Sequence, residues 1–149
     1  MTSFASPRQR WLAVLARATR PELEQALSKI SDLGPLEHVR PAESGMVMLR
    51  GRMGGTGDAF NLGEASVARC ALRVGASALG VGYALGRDKR KAELIAVFDA
   101  LLQDERRVGD LDARVVQPLA RQQASQQQAR AAAAASSKVE FYTFVRGQA

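Results

Sequence analysis

Residues 46–58 read Met46-Val47-Met48-Leu49-Arg50-Gly51-Arg52-Met53-Gly54-Gly55-Thr56-Gly57-Asp58, an apolar run that turns basic and then empties into glycine. The pattern predicts a strand over 46–53 that ends in a loop of nearly bare backbone. Strand side chains alternate between faces, so Arg50 and Arg52 go with Met46 and Met48, while Val47, Leu49 and Met53 take the other side. Gly54, Gly55 and Gly57 allow backbone conformations and close approaches that a Cβ obstructs. Two readings stand: a glycine-rich turn between two strands, or a set of exposed N–H groups beside two guanidinium groups, suited to an anion or a partner chain. The Gly-x-x-x-x-Gly-Lys-Ser/Thr pattern of a P-loop is absent.

Before this stretch, Leu36 to Arg40 is predicted as a short strand closed by Pro41, with Glu43-Ser44-Gly45 as a turn. His38 lies in that strand and reads as a solvated or hydrogen-bonded side chain. After the glycines, Phe60 and Leu62 open an extended segment that Gly63-Glu64 is expected to interrupt. Alternation then runs from Val67 to Val74. It groups Val67, Arg69, Ala71 and Arg73 on one face and Cys70, Leu72 and Val74 on the other, which makes Cys70 a small buried hydrophobe rather than a nucleophile. Leu79 to Gly86 alternates large residues with small ones, leaving a bare face to receive a helix or a partner. Antiparallel strands at 46–53, 64–74 and 79–86 would place Arg50, Arg52, Arg69 and Arg73 on one surface.

Helical spacing marks Pro7 to Thr19 through Trp11, Leu12, Val14, Leu15 and Ala18. A second helix follows Thr19-Arg20-Pro21, with threonine as cap, and stops at Gly34-Pro35. A third begins after Asp88 and buries Leu94, Ile95, Val97, Phe98, Leu101 and Leu102. Its start, Arg87 with Lys89, Arg90 and Lys91, sets cations at the positive helix end, which costs stability; either an anion is held there or the side chains are solvated. Leu111 to Leu119 is expected to be a brief extended piece, because the residue before Pro118 avoids the helical region. Pro118 to about Ser136, rich in glutamine and alanine, predicts a helix with a thin apolar stripe, against disorder as the competing reading. Lys138 to Arg146 has the content of a strand.

The chain has 149 residues, one cysteine and one histidine. That length fits one domain with its own core. Neither a zinc site nor an iron–sulfur cluster can be built from Cys70 and His38 alone, and no cofactor is expected in this chain. No apolar run is long enough to cross a membrane. The amino terminus lacks a secretion signal, which favours the cytoplasm. Net charge is +6 and the pI is near 10.2. Arginine supplies 17 of the 21 basic residues, a bias that suits anionic partners or reflects a GC-rich genome. Recognised nucleic-acid motifs are missing, as are a Gly-x-Ser-x-Gly elbow and any coherent catalytic constellation. Glu43, Asp58, Glu64 and Asp88 are the carboxylates near the glycine or basic stretches, and none is singled out as a base.

Arg8-Gln9-Arg10-Trp11, Arg52-Met53-Gly54-Gly55-Thr56-Gly57, Gly86-Arg87-Asp88-Lys89 and Phe141-Tyr142-Thr143-Phe144-Val145-Arg146-Gly147, taken together and in order, resemble the PhnG family. That family supplies the small subunit of the bacterial carbon–phosphorus lyase core complex. The resemblance implies PhnH-, PhnI- and PhnJ-like partners, together with PhnL. It also implies a part in displacing adenine from ATP by methylphosphonate, giving alpha-D-ribose 1-methylphosphonate 5-triphosphate during phosphonate breakdown. It implies that a PhnI-like partner carries the nucleosidase chemistry, that a radical PhnJ-like partner later breaks the carbon–phosphorus bond, and that this chain is an accessory subunit. It carries over no catalytic residue.

The expectation is therefore an α+β domain over residues 1–149, an antiparallel meander of four to five strands flanked by helices. Arg50, Arg52, Gly54, Gly55, Gly57, Arg87, Lys89 and Arg90 are its candidate anion- or partner-binding residues, with ATP or a phosphonate nucleotide as the phosphate-bearing ligand of the complex. The alternative is a stand-alone basic module that binds RNA or another polyanion.

Overall fold

The bare face of the 79–86 segment is where the fold is assembled. In the computed structural model, which describes residues 6–137, a Cβ on Gly80 would lie 2.0 Å from the Ala96 carbonyl oxygen. A helix thus rests directly on strand backbone, an approach open only to glycine. That helix is buried almost all round, from Ala92 to Leu102, because the sheet lies on one side and shorter helices on the other.

In chain order the elements are α1 (Pro7–Arg17), α2 (Arg20–Ser28), β1 (Leu36–Arg52), a 3-10 turn (Met53–Gly55), β2 (Ala59–Val74), β3 (Gly80–Leu85), α3 (Lys89–Leu102), α4 (Val108–Leu111), a π-helical turn (Asp112–Val116) and α5 (Gln117–Ser136). The sheet is an antiparallel meander in the order β1-β2-β3. Its inward residues Ala68, Cys70, Leu72 and Val74 pack with Leu94, Ile95 and Phe98 of α3 and with Trp11, Leu15 and Leu23 of the first two helices.

Local chemistry sets the helix ends. Thr19 accepts from the Glu22 amide while the Glu22 carboxylate takes the Thr19 N–H at 2.7 Å, a reciprocal cap. The Thr19 amide is the main reason the Glu22 carboxyl is held below its ordinary value. Asp88 caps α3 by accepting from the Lys91 amide at 3.0 Å.

The α+β meander agrees with the expectation, but the described residues form three strands. The predicted strands at 36–40 and 46–53 are one, β1. Irregular register between His38 and Glu43 lets Pro41 sit inside an edge strand, where its missing N–H breaks no ladder. Gly63 likewise stays within β2, with a register shift between Leu49 and Arg50 taking up the irregularity. The piece around Val115 and Val116 is helical: the wider π turn over Asp112–Val116 precedes Pro118, which sits in the first turn of α5 and so removes an N–H that needs no partner. The glutamine- and alanine-rich segment is the helix α5. The predicted strand over Lys138 to Arg146 lies outside the described residues.

Candidate functional site

The basic residues singled out in the sequence fall into two places. Arg50 and Arg52 stand near the far end of the β1–β2 hairpin, opposite Asn61 and Ala59, with Gly54, Gly55 and Gly57 forming its turn. Gly54 and Gly55 have φ of 61° and 80°, the left-handed region that glycine tolerates. Arg52 donates to the Gly57 carbonyl at 3.1 Å, tying the turn to its own strand. This is the glycine turn between two strands, with the guanidinium groups beside it.

Arg87, Lys89 and Arg90 lie at the start of α3, next to the end of β3. Leu85 pairs with Val67, and Arg52 pairs with Ala59. The two basic groups are thus separated by the stretch of β2 from Ala59 to Val67, on the order of 25 Å at about 3.3 Å per residue. A single triphosphate cannot bridge them. Nor do Arg69 and Arg73 join Arg50 and Arg52 on one surface. They lie further down β2, and alternation along each strand leaves them with Val67, on the face opposite Ser66 and its partner Met46.

Electrostatics divides the second group again. Arg90 donates to Glu93 at 2.6 Å and lies 3.6 Å from Glu24 on α2. A hydrogen bond of 2.8 Å also joins Glu93 Oε1 to His38 Nε2, and Arg20 bridges Glu24 to Asp88. This network ties β1, α2 and α3 together, so Arg90 helps to hold the fold. Burial pushes the Lys91 ammonium below its ordinary value, against the opposing pull of Asp88 and Glu22. Arg87, Lys89 and Arg50 have no carboxylate within ion-pair range among the described residues.

Sequence reasoning missed the long-range pairs. His38 and Glu93 are 55 residues apart, and Asp99 receives Arg8 at 2.7 Å, the Trp11 indole N–H at 2.9 Å and the Val81 amide at 2.9 Å. Asp99 lies within α3 with apolar residues on either side in sequence, and these partners come from α1 and β3; only its position within the buried stripe hinted at it. Of the carboxylates near the basic stretches, Glu43 pairs with Arg40 and Arg69, and Asp88 is a helix cap. Asp58 and Glu64 remain on the hairpin. Cys70 is 2% exposed, and burial pushes its thiol up to about 11, which removes the thiolate at neutral pH. Among the described residues no group of three or more His, Cys, Asp or Glu is placed to hold a metal ion, and no helix is long and apolar enough to cross a membrane.

Against known proteins, the chain is 42% identical over 141 residues to the alpha-D-ribose 1-methylphosphonate 5-triphosphate synthase subunit PhnG of Rhizobium meliloti (strain 1021), covering 95% of this chain and 90% of that protein. The family model described as phosphonate metabolism protein PhnG matches residues 6–147, nearly the whole length and all four of the motifs quoted above. The chain belongs to the PhnG family.

Proposed function

We propose that the chain is an accessory subunit of a cytoplasmic alpha-D-ribose 1-methylphosphonate 5-triphosphate synthase, working with PhnH-, PhnI- and PhnJ-like subunits in the breakdown of organic phosphonates. The observation that carries this reading is the 42% identity to the Rhizobium subunit across 95% of the chain. Correspondence over nearly the full length of both proteins covers the core, the hairpin and the helix starts together.

In this reading the chain contributes surface and charge, and a partner contributes the bond-breaking groups. No cofactor is assigned to it. Its titratable network serves the fold: Glu24 and Asp99 are committed to arginine partners from other elements, and Glu93 to Arg90 on its own helix and to His38 on β1. The cations left over are offered outward. Arg87 and Lys89 meet a phosphate-bearing ligand or a carboxylate at the base of the hairpin, and Arg50 and Arg52 meet a partner at its end.

Co-expression with the three partner types, with a tag on this chain and a wash in high salt, tests the reading. Partner subunits are expected to arrive in fixed stoichiometry. Recovery of the chain alone, or of nucleic acid that salt removes, would favour the polyanion-binding module instead.

A further inference from the structure

Beyond Val67 the β1–β2 hairpin leaves the body of the protein. β3 stops at Leu85, and the Gly86 amide closes the ladder on Ser66 at 2.8 Å. Among the described residues, β2 has no neighbour on its far side from Ala59 to Ala65, and β1 is an edge strand along its whole length. The result is a two-stranded arm with both edges unpaired among the described residues. Such a hairpin is marginal by itself, and an open apolar edge invites another chain.

Its side chains are the wrong kind for water. Met46 is 56% exposed, Met48 52%, Met53 77%, Phe60 42% and Leu62 65%. Met46 and Met48 lie on one face of the arm and Phe60, opposite Gly51, on the other, so both faces carry exposed apolar surface, which marks an interaction site, and methionine with aromatic residues is what interfaces enrich. Charge bears on the occupant. On the arm Arg50 and Arg52 are matched in number by Asp58 and Glu64, while at its base Arg87 and Lys89, on either side of Asp88, have no carboxylate within ion-pair range among the described residues. The chain as a whole carries +6. Two copies would bring one chain of that charge against another, whereas an acidic partner is attracted.

We infer that residues 46–65 form a docking arm that inserts into an apolar groove on a different subunit of the synthase, with carboxylates of that subunit meeting Arg50 and Arg52. The inference rests on the synthase reading above and names the surface through which assembly occurs. The arm stands clear of the core formed by α3 and the inner sheet face, so changing it leaves the fold intact.

The test compares wild type with a Met48→Asp, Phe60→Asp variant and an Arg50→Glu, Arg52→Glu variant, each first shown to melt as wild type does. Binding to co-expressed PhnH-, PhnI- and PhnJ-like subunits is then measured, with hydrogen exchange on the wild-type assembly. Both variants are expected to bind at least about tenfold more weakly, and amides of 46–65 are expected to gain protection on assembly. Wild-type assembly that both variants enter with unchanged affinity, or that leaves these amides unprotected, overturns the arm while the synthase reading stands. A wild-type dimer that the Met48→Asp, Phe60→Asp variant dissolves makes a second copy the occupant and also overturns it. Failure of wild type to bind any of the three subunits removes the synthase reading itself.

Discussion

A Cβ on Gly82 would stand 1.9 Å from the carbonyl oxygen of Ala92. β3 and α3 therefore meet at a separation that only bare backbone permits, and the contact is made by backbone that cannot step aside. Gly82→Ala is expected to lower stability by about 3 kcal/mol, the upper part of the range for overpacking, read as a lower urea midpoint at unchanged slope. A loss under about 0.5 kcal/mol, within the range of surface substitutions, would show that the helix does not rest on the strand.

Asp99 is fully buried and accepts from Arg8, Trp11 and the Val81 amide. The Asp99 side-chain hydrogen bond is the main reason the Arg8 pKa is raised. Asp99→Ala strands an indole N–H, a backbone N–H and one side of a guanidinium group, and is expected to cost about 3 kcal/mol. Arg8→Ala is expected to cost less, because its side chain is 41% exposed and Asp99 keeps its other donors. Equal losses in thermal unfolding of the two variants would contradict this network.

These relationships differ in how far the sequence announces them. The alternation Leu79-Gly80-Val81-Gly82 identifies a face awaiting a helix because size alternates at the strand period. Glycine at 54, 55 and 57 identifies the hairpin turn, and the caps Thr19 and Asp88 are local chemistry. Joining 36–40 to 46–53 was not legible, since Pro41 and Gly45 look like breaks and only pairing with β2 shows that they are not. The helical path through Val115 and Val116 was hidden for a similar reason: the π turn before Pro118 has no compositional mark. Of the candidate site, each residue was locatable but their separation was not. Register decides that Arg52 lies opposite Ala59 and that Leu85 lies opposite Val67, and register is a property of two strands.

Burial pushes the Glu93 carboxyl up, but hydrogen bonds and charge from Arg90 and His38 outweigh it and hold the group below its ordinary value of 4.5. A carboxylate depressed in the folded state adds stability above its unfolded value and loses it as pH falls through the folded one. Wild type is therefore expected to exceed Glu93→Gln in stability at about pH 6, with the gap closing as pH falls to about 3. Denaturant midpoints over this range check the sign. A gap that widens toward acid would contradict it.

Cys70 is buried, and its thiol is pushed up to about 11 by burial, with Glu93 adding to the effect. A thiol reagent at about pH 8 is expected to label the native protein far more slowly than the urea-unfolded chain, because only the thiolate reacts. Equal rates in the two states would place Cys70 at an accessible surface and undo the inward face assigned to β2.

The central claim is that this chain works as one subunit among others. Native mass measurement of the assembly isolated through a tag on this chain tests it most directly. The account predicts a single complex with PhnH-, PhnI- and PhnJ-like subunits in fixed ratio, intact in high salt; the chain emerging alone in their presence would contradict it.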